Sequence, residues 1–480
     1  MMKVKRCKLK IEPSPVRALI RPFIPGDERI KLILMRILSL SPKQVHSELK
    51  KIKKEFSAKA FKIEDLLIDH YERIKHHIPQ DRFLPLEQKL LIGAYFTQEY
   101  ALESTALCNP SIVPHFDQSG TENGELKFIL SLRAIGEGHI SSIVFREGII
   151  TRDNEIVLFP SYPIVAEPRK ISDPIIVKSL FIRKLAELGA WNQVSRLIIE
   201  PLEDNFTLST LMQHAIRITR ENIHLENSHV TFEIIKTLAQ NNYEVSFAEN
   251  QPISSRVIFP SSPSEINGIE DARFVVFTDD NGSKKYYATY TAYDGKVILP
   301  QLLETTDFNN FKFITLNGNA AKNKGMALFP RKINGQYVML SRHDNESLYV
   351  VFSENIHFWY DPVKIMQPSF PWEFVQIGNC GSPIELDEGW LVLSHGVGPM
   401  RKYCISAFLL DKHNPARVIG RLAEPILKPE GEEKEGYVPN VVYTCGALVH
   451  NGRLIIPYAM SDFATKFATI GIDELLNEMR

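Results

Sequence analysis

The residues best suited to chemistry lie at the start of a predicted β-hairpin. The segment from Gly268 to Arg273 reads Gly-Ile-Glu-Asp-Ala-Arg, which places two adjacent carboxylates close to an arginine. An apolar run, a polar Asp-Asp-Asn-Gly turn and an aromatic, β-branched second strand follow, which is the pattern of a hairpin. The cation of Arg273 would keep the Asp271 carboxyl ionised, whereas partial burial would raise its pKa. The pattern therefore fits either a general acid or an ordinary ion pair.

Further motifs follow this hairpin in a fixed order. They are Tyr-Thr-Ala-Tyr-Asp-Gly at 290–295, Ala-Leu-Phe-Pro-Arg-Lys-Ile-Asn-Gly-Gln-Tyr at 327–337, Gly-Ser-Pro-Ile-Glu at 381–385, Gly-Trp-Leu at 389–391, His-Gly-Val at 395–397 and Tyr-Ala-Met-Ser-Asp at 458–462. Together with the segment at 268–273, the series resembles glycoside hydrolase family 130, the inverting β-mannoside phosphorylases and β-mannosidases on a five-bladed β-propeller. The resemblance runs from Asn109 to the C-terminus with one interruption, and it leaves the N-terminal region outside.

The resemblance implies a site for a β-mannoside or a closely related β-linked oligosaccharide. Asp271 would be the general acid, with its proton passing through a sugar hydroxyl, and the anomeric carbon would be inverted. The candidate substrate-binding residues are Asn109, Arg133, Glu270, Arg273, Tyr290, Asp294 and Asp462. Basic residues would hold inorganic phosphate as the nucleophile, and the candidates are Lys324, Arg342, His343 and His395. No metal or organic cofactor is implied.

The choice between phosphate and water as the nucleophile stays open. Proline normally follows the catalytic aspartate in this family, whereas this chain has Ala272, and the stretch Lys296 to Gln301 lacks an arginine that many phosphorylases place there. A hydrolase would need a carboxylate base about 6.5 to 9.5 Å from the acid, so that water fits between base and sugar. Glu385 and Glu346 are the candidates for that base.

A binding protein without catalysis is the rival class of function. Four aromatic residues are candidates for stacking on sugar rings, namely Tyr290, Tyr293, Trp372 and Trp390, although a tryptophan next to a turn glycine is more typical of a core. A glycan-binding propeller would keep such contacts and would not need Asp271. An enzyme is expected to hold this residue in a deep pocket, whereas a lectin would present an open face.

Composition excludes several other classes. The 480 residues contain 56 Lys and Arg against 57 Asp and Glu, so bulk charge favours neither nucleic acid nor an anionic membrane as a partner. No run of 18 apolar residues and no signal-peptide pattern after Met1 to Lys10 are present. The five cysteines are odd in number and lack metal-ligand spacing. We therefore expect a reduced, cytoplasmic protein without a metal site.

We expect an N-terminal helical region at 1–105, in which residues 28–103 carry helical periodicity, and an all-β region at 106–480 with a helical insertion at about 166–245. Ser41-Pro42 begins one predicted helix, and two more are expected from Ile63 to Ile78 and from Pro85 or Leu86 to about Leu107. Within the insertion, the sequence pattern predicts helices at 176–188, 208–219 and 229–240. We expect the two helical regions to pack together, and they are candidates for a homo-oligomer contact.

The all-β region shows short strands separated by turn sequences. A first blade is predicted from strands at 126–133, 140–146 and 155–159. Turns are expected at Asn281-Gly282, Asn334-Gly335, Asp387-Glu388-Gly389 and Asn451-Gly452. This regular spacing is typical of a propeller or a sandwich, and the five-bladed architecture is implied by the resemblance.

Overall fold

The computed structural model describes residues 3–56, 63–79, 82–171, 173–221, 225 and 227–479. The α-helices are α1 (Asp27–Leu38), α2 (Pro42–Phe56), α3 (Ile63–Ile74), α4 (Leu86–Tyr95), α5 (Lys178–Glu187), α6 (Gln193–Ile199), α7 (Leu208–Glu221), α8 (Ser228–Gln240) and α9 (Ile472–Glu478). Short 3-10 turns separate some strands, and two of them, Pro263–Glu265 and Pro371–Glu373, bear on the site.

The strands are numbered in chain order. Those before the central hairpin are β1 (Lys5–Ile11), β2 (Ser14–Pro22), β3 (Thr97–Glu103), β4 (Ala106–Pro114), β5 (Leu126–Ile135), β6 (Ser141–Ile150), β7 (Ile156–Leu158), β8 (Ile164–Val165), β9 (Arg169–Lys170), β10 (Ile175–Val177), β11 (Asn205–Thr207), β12 (Tyr243–Ser246) and β13 (Val257–Ile258).

The remaining strands run to the C-terminus. They are β14 (Ile269–Thr278), β15 (Lys284–Tyr293), β16 (Ile298–Thr305), β17 (Asn310–Thr315), β18 (Ala327–Leu328), β19 (Tyr337–Ser341), β20 (Leu348–Ser353), β21 (Val363–Met366), β22 (Gln376–Asn379), β23 (Ile384–Glu385), β24 (Trp390–Val397), β25 (Tyr403–Leu410), β26 (Val418–Arg421), β27 (Val442–Tyr443), β28 (Leu448–His450), β29 (Arg453–Met460) and β30 (Ala464–Gly471).

The chain folds into two compact units. The smaller unit comprises Ser14–Ser104 and Ser161–Ala166, and the larger unit comprises the chain up to Pro13, Thr105–Pro160 and everything from Glu167 onward. In the smaller unit, α1 to α4 accompany a three-stranded sheet in the order β3-β2-β8. Its helices bury the apolar positions that the periodicity predicted, such as Val45 and Leu49 in α2.

The described part of the larger unit contains five antiparallel sheets of four or more strands, besides the two-stranded sheet of β10 and β11 in the insertion. Their strand orders are β13-β6-β5-β4, β14-β15-β16-β17-β12-β9, β18-β19-β20-β21, β22-β24-β25-β26 and β1-β30-β29-β27, with β7, β23 and β28 pairing at the sides of β6, β24 and β29. Middle strands such as β5 are buried on both faces, so they read as apolar runs, whereas β17 alternates between buried and exposed side chains. The insertion helices α5 to α8 form a hydrophobic core of their own.

Two expectations about the helical regions are wrong. The first residues of the chain form β1 and β2 rather than helix, and β1 pairs with β30, so its partner is far away in the sequence and leaves no local signal. The third predicted helix, α4, ends at Tyr95 rather than near Leu107, because the alternating sequence that follows buries Tyr100 and Leu102 as strand β3. The packing of the two helical regions against each other stays a prediction.

A short sequence pattern recurs before β14 and β22, which are edge strands of two different sheets. Pro-Ser-Ser-Pro-Ser-Glu at 260–265 and Pro-Ser-Phe-Pro-Trp-Glu at 368–373 each form a 3-10 turn that ends in a fully buried glutamate. Glu265 accepts hydrogen bonds from two backbone N–H groups of its turn and from the hydroxyls of Tyr243 and Tyr290. Each glutamate thereby fixes the entry of the strand that follows it. Asp271 lies six residues after Glu265, and Asn379 lies six residues after Glu373.

We expect Glu265→Ala to lower the free energy of unfolding by roughly 3 kcal/mol, because it leaves two buried tyrosine hydroxyls and two N–H groups without their acceptor. Urea unfolding of the purified variant measures this change. Glu249→Ala, at an exposed position of the same region, is the matched control and should stay within about 0.5 kcal/mol of the parent. A loss at position 265 no larger than the control's would show that the glutamate does not organise the turn.

Candidate active site

Two backbone kinks bring Asn109 and Asp271 together. Both residues have left-handed backbone angles, with φ of 48° and 56°, and each lies where the strand register is interrupted, in β4 and in β14. Such angles are uncommon outside glycine and cost energy, so they are often found at functional sites. The Nδ2 group of Asn109 donates to Oδ1 of Asp271 at 2.5 Å. The predicted hairpin of β14 and β15 is thus confirmed, and its kink presents the carboxyl.

Cations surround the Asp271 carboxyl. Arg273 NH2 lies 3.8 Å from its Oδ2 and Arg133 NH1 lies 3.8 Å from its Oδ1. Burial alone would raise the pKa of Asp271, but the charges of Arg273, Arg133 and Lys324, together with the hydrogen bond from Asn109, lower it below its ordinary value. Asp271 is therefore a carboxylate in the free protein.

Glu270 forms the centre of a second charged group. Its Oε1 accepts from Arg133 NH2 at 2.7 Å, and its Oε2 contacts the ammonium of Lys324. The Nε–H of Arg133 donates to the hydroxyl of Ser141 at 2.9 Å. This network fixes the Arg133 guanidinium between Glu270 and Asp271.

Arg273 connects three segments of the larger unit. Its NH1 donates to the carbonyl of Asp271 at 2.9 Å, its Nε to the carbonyl of Cys380 at 2.8 Å and its NH2 to the hydroxyl of Tyr443 at 2.9 Å. Only 2% of the residue is exposed. Burial disfavours its charge, yet the neighbouring Tyr443, Cys445 and Asp271 raise its pKa overall. Arg273 is therefore a fixed cation beneath Asp271 rather than a free ligand-binding group.

Arg342 and His395 lie next to each other, on the same side of the larger unit as Asp271. Arg342 NH1 lies 3.1 Å from His395 Nε2, and the amide oxygen of Gln376 accepts from that ring nitrogen at 3.2 Å and from Arg342. Gly378 makes room for the pair, because a Cβ at this position would lie 2.4 Å from Cε1 of His395. Burial, then the charges of Arg342 and Arg273, lower the pKa of His395 well below its ordinary value, so the ring is neutral.

Asp462 belongs to the same electrostatic cluster. It has a left-handed backbone with φ of 47° at the turn between β29 and β30. Burial raises its pKa to about 6; Arg133 and Arg401 oppose this, and Asp271 adds to it. A carboxyl that titrates close to neutrality next to an ionised one is suited to hydrogen bonding with sugar hydroxyls in either protonation state.

Several predicted residues are placed elsewhere. Tyr290 is a core residue whose ring packs edge-on to Phe313 and whose hydroxyl is bound to Glu265, so its predicted contact with substrate is wrong. Asp294 accepts the backbone N–H groups of Lys296 and Val297 and so holds a turn, although that turn lies at the same hairpin end as Asp271. Trp390 is fully buried against Phe329, as the core alternative predicted.

The aromatic and histidine candidates at the periphery have structural contacts of their own. His343 packs edge-on to Tyr349, 5.9 Å between centroids, and does not join the Arg342 pair. Trp372 donates its indole N–H to the carbonyl of Ala423 and covers Gly396. Tyr293 donates its hydroxyl to the carbonyl of Gly295. None of these contacts among the described residues reaches Asp271.

The two candidate bases do not pair with Asp271. Glu385 is held by Arg331 in a two-pronged ion pair at 2.8 and 2.9 Å. It pairs in β23 with Trp390, which is five residues along β24 from His395, or about 17 Å at the rise of a strand. Glu346 is exposed, and only its backbone carbonyl, which accepts the N–H of Ile377, connects it to the site region.

Sequence reasoning missed Asn379, Tyr443 and Gln376. Asn379 is almost fully buried, and neither atom of its amide group has a hydrogen-bond partner in the described part of the chain. The recurring Pro-Ser-x-Pro-x-Glu pattern could have identified it, since it aligns Asn379 with Asp271. Tyr443 and Gln376 carry no comparable local signal, because only tertiary contacts bring them to Arg273 and Arg342.

Among the residues that the structure describes, no group of three or more His, Cys, Asp or Glu side chains is arranged to hold a metal ion. Within the same ranges, no helix has the length and apolar character needed to cross a membrane. The cysteines are unpaired, and burial raises the pKa of Cys380 to about 12, so this thiol is protonated.

Comparisons with known proteins identify the family. The family model described as beta-1,4-mannooligosaccharide phosphorylase matches residues 226–480, more than half of the chain. The chain therefore belongs to this family, glycoside hydrolase family 130, whose members are all-β carbohydrate-active enzymes. The resemblance predicted from the sequence motifs is confirmed.

Individual relatives agree with this assignment. The 1,2-beta-oligomannan phosphorylase of Thermoanaerobacter sp. (strain X514) is 34% identical over 46% of this chain and 73% of its own length. The beta-1,2-mannobiose phosphorylase of the same organism is 37% identical over 43% of this chain and 68% of its own length. Among solved structures, the Listeria innocua beta-1,2-mannobiose phosphorylase bound to beta-1,2-mannobiose gives a TM-score of 0.47 and 20% identity over 79% of this chain and 93% of that one.

The neutral, buried His395 makes stability depend on pH. Its folded pKa is depressed below the ordinary value of 6.5, so below that pH the unfolded chain binds a proton that the native state does not. We expect the free energy of unfolding to fall as pH drops below 6.5, and His395→Gln to make this fall shallower. Urea unfolding at a series of pH values measures the slope. The exposed His413→Gln is the control, and equal slopes for the two variants would contradict this role.

Proposed function

We propose that this protein is an inverting β-mannoside phosphorylase, which cleaves a β-mannosidic bond of an oligosaccharide with inorganic phosphate and releases α-mannose 1-phosphate. The observation that carries the proposal is that the partly buried Arg342 lies beside the buried His395, and that both are near Asp271. Among the described residues, no carboxylate forms an ion pair with Arg342, so its charge is available to an anion. The phosphorylase names of the relatives support the same reaction.

We infer that the five sheets of the larger unit are the five blades of a propeller. Five antiparallel sheets that follow one another in the chain, the last of which joins β1 to β30 near the two chain ends, support this architecture. The catalytic domain would then comprise residues 106–480 together with β1. The insertion helices and the smaller unit would be accessory elements. We propose that the subunits of a homo-oligomer contact each other through these helices.

On the sugar side, Asp271 is proposed as the general acid. The free protein holds it ionised, so it must gain its proton when the substrates bind. Excluding water removes solvation from the carboxylate, and a phosphate dianion next to Arg273 and Arg342 offsets the cations that now depress its pKa. Both effects favour the protonated form. Asn109, Arg133, Glu270 and Asp462 are proposed to bind the hydroxyls of the sugar in the innermost subsite.

On the nucleophile side, Arg342, His395 and Asn379 are proposed to bind phosphate. A guanidinium suits phosphate because its donors form a planar fork, and the neutral imidazole of His395 adds no further charge that would over-stabilise the bound dianion. Lys324 is tied to Glu270 and would serve the sugar side unless phosphate draws it away. Hydrolysis is less favoured, because Glu385 is bound to Arg331 and Glu346 is exposed.

The decisive experiment compares β-1,2- and β-1,4-mannobiose with and without inorganic phosphate. Turnover that requires phosphate and yields mannose 1-phosphate supports the proposal. Release of two mannose molecules without phosphate would instead establish a hydrolase. Binding of the disaccharides with no product under either condition would establish a glycan-binding protein.

We expect Asp271→Asn to bind mannobiose while losing turnover by about 100- to 10,000-fold, since the amide is isosteric and cannot supply the proton. Product assays and calorimetry on the same preparation separate rate from binding. Asp387→Asn, in an exposed turn, is the control and should keep the parent rate. Parent-like turnover in the position 271 variant would remove Asp271 from the mechanism.

We expect Arg342→Gln to raise the KM for phosphate about 10- to 100-fold, the loss typical of one charged hydrogen bond, with a smaller change in the KM for the sugar. Arg342→Lys should recover part of the loss, because it restores the charge without the fork. Steady-state kinetics with either substrate varied gives both constants. Arg331→Gln, which frees Glu385, is the matched control, and an equal effect in both variants would argue against phosphate binding at Arg342.

A further inference from the structure

A cavity of about 160 Å³ lies within the larger unit between the helical insertion and the outer strands of the β14 sheet. The residues of β10, α5 and α8 form one side, and those of β12 and β17 form the other. The matched family region begins at residue 226, so α5 and β10 lie outside it. Because neither element belongs to the site around Asp271, the cavity is a separate feature of this chain.

The cavity exists because one strand is shorter than its neighbour. Strand β12 begins at Tyr243 and pairs with residues 310–313 of β17, so the last two residues of β17 extend beyond it. The Asn242 side chain caps this edge by accepting the N–H of Thr315 at 3.1 Å. Helix α5 of the insertion then covers the open end of the edge and leaves a gap of the size of one small molecule.

Polar atoms at the floor of the cavity lack partners. Thr315 is 3% exposed and Asn317 is 6% exposed, yet Oγ1 of the first and Oδ1 of the second have no hydrogen bond within the described ranges. The same holds for Nδ1 of His357, whose pKa burial lowers to about 4, so the ring is neutral. Unsatisfied buried polar atoms are costly, and a cluster of them around one cavity indicates a bound polar group.

Lys184 adds a poorly neutralised cation to this floor. Its ammonium lies 3.5 Å from the carbonyl of Leu316 and 3.9 Å from Glu187, both long contacts. Glu187 is already engaged, because it accepts the N–H of Gly318 at 2.8 Å and the hydroxyl of Tyr360. Burial lowers the pKa of Lys184, and the charge of Glu187 opposes this only in part. The carboxylate of a bound molecule would supply a closer anion.

The walls of the cavity are apolar. They are formed by Ile176, Phe181, Leu238 and Phe313, each with less than a tenth of its surface exposed. A cavity of about 150 Å³ is known to hold one benzene ring, so a single ring or a short chain fits here. We propose that this cavity binds a small organic monocarboxylate, with its carboxylate on Lys184 and Thr315 and its ring or chain between the apolar walls.

Calorimetry with benzoate as the probe tests the proposal, with benzamide as the uncharged isostere. The expected result is that benzoate binds the full-length protein and benzamide binds at least about tenfold more weakly, as the loss of a charge-assisted bond requires. Lys184→Gln should weaken benzoate by a similar factor, Lys184→Arg should weaken it less, and Lys236→Gln on α8 should leave it unchanged. Saturating inorganic phosphate should not displace benzoate, because the phosphate site proposed above is elsewhere.

Several outcomes would overturn the proposal. If benzoate does not bind, water alone fills the cavity. If benzamide binds as tightly as benzoate, or if Lys184→Gln binds benzoate as the parent does, the carboxylate is not recognised by this floor. Displacement of benzoate by phosphate would assign the binding to the Arg342 side instead. Circular dichroism of Lys184→Gln tests whether the variant is folded, so that loss of binding is not mistaken for loss of structure.

Discussion

The candidate site depends on the buried guanidinium of Arg273. Removing a cation from water is costly unless its donors are satisfied, and here three donors reach the carbonyls of Asp271 and Cys380 and the hydroxyl of Tyr443. These acceptors come from three segments that are distant in sequence. One side chain therefore fixes both the position of the catalytic candidate and the spacing of the segments around it. Its charge also helps to keep Asp271 ionised. The same side chain therefore holds the segments together and lowers the pKa of the Asp271 carboxyl.

The other groups of the site are presented by strained backbone. Asn109, Asp271 and Asp462 all have positive φ angles, which turn a side chain out of the alternation of an ordinary strand. Such a kink is stable only where tertiary bonds hold it, and Asn109 and Asp271 hold each other. The carboxylates Glu270, Asp271 and Asp462 face the cations Arg133, Arg273, Lys324 and Arg342. Arg342 is the cation without a carboxylate partner among the described residues, which is why an incoming anion would complete the balance.

The sequence predicted this site and fold unequally, for physical reasons. Local patterns predicted the β14–β15 hairpin and strands β5 to β7 well, because turn residues and β-branched runs act over a few positions. The resemblance gave Arg342 and His395 as candidates, and the fold places them next to each other. Tyr290 and Glu385 were misplaced because their partners, Glu265 and Arg331, are contacts that only the folded chain creates. Strand β1 was missed because its pairing with β30 spans nearly the whole chain.

The alanine at position 272 bears on how the backbone kink at Asp271 is held. A proline there would fix its own φ and favour an extended backbone at the residue before it, whereas Asp271 has a left-handed φ of 56°. Ala272 leaves that rotation free and is instead buried in the apolar core between sheets. The position of Asp271 must then come from its side-chain bond to Asn109 and its carbonyl bond to Arg273. In this chain Asp271 is consequently placed by tertiary contacts rather than by a ring in the backbone, and the buried Arg273 is one of those contacts.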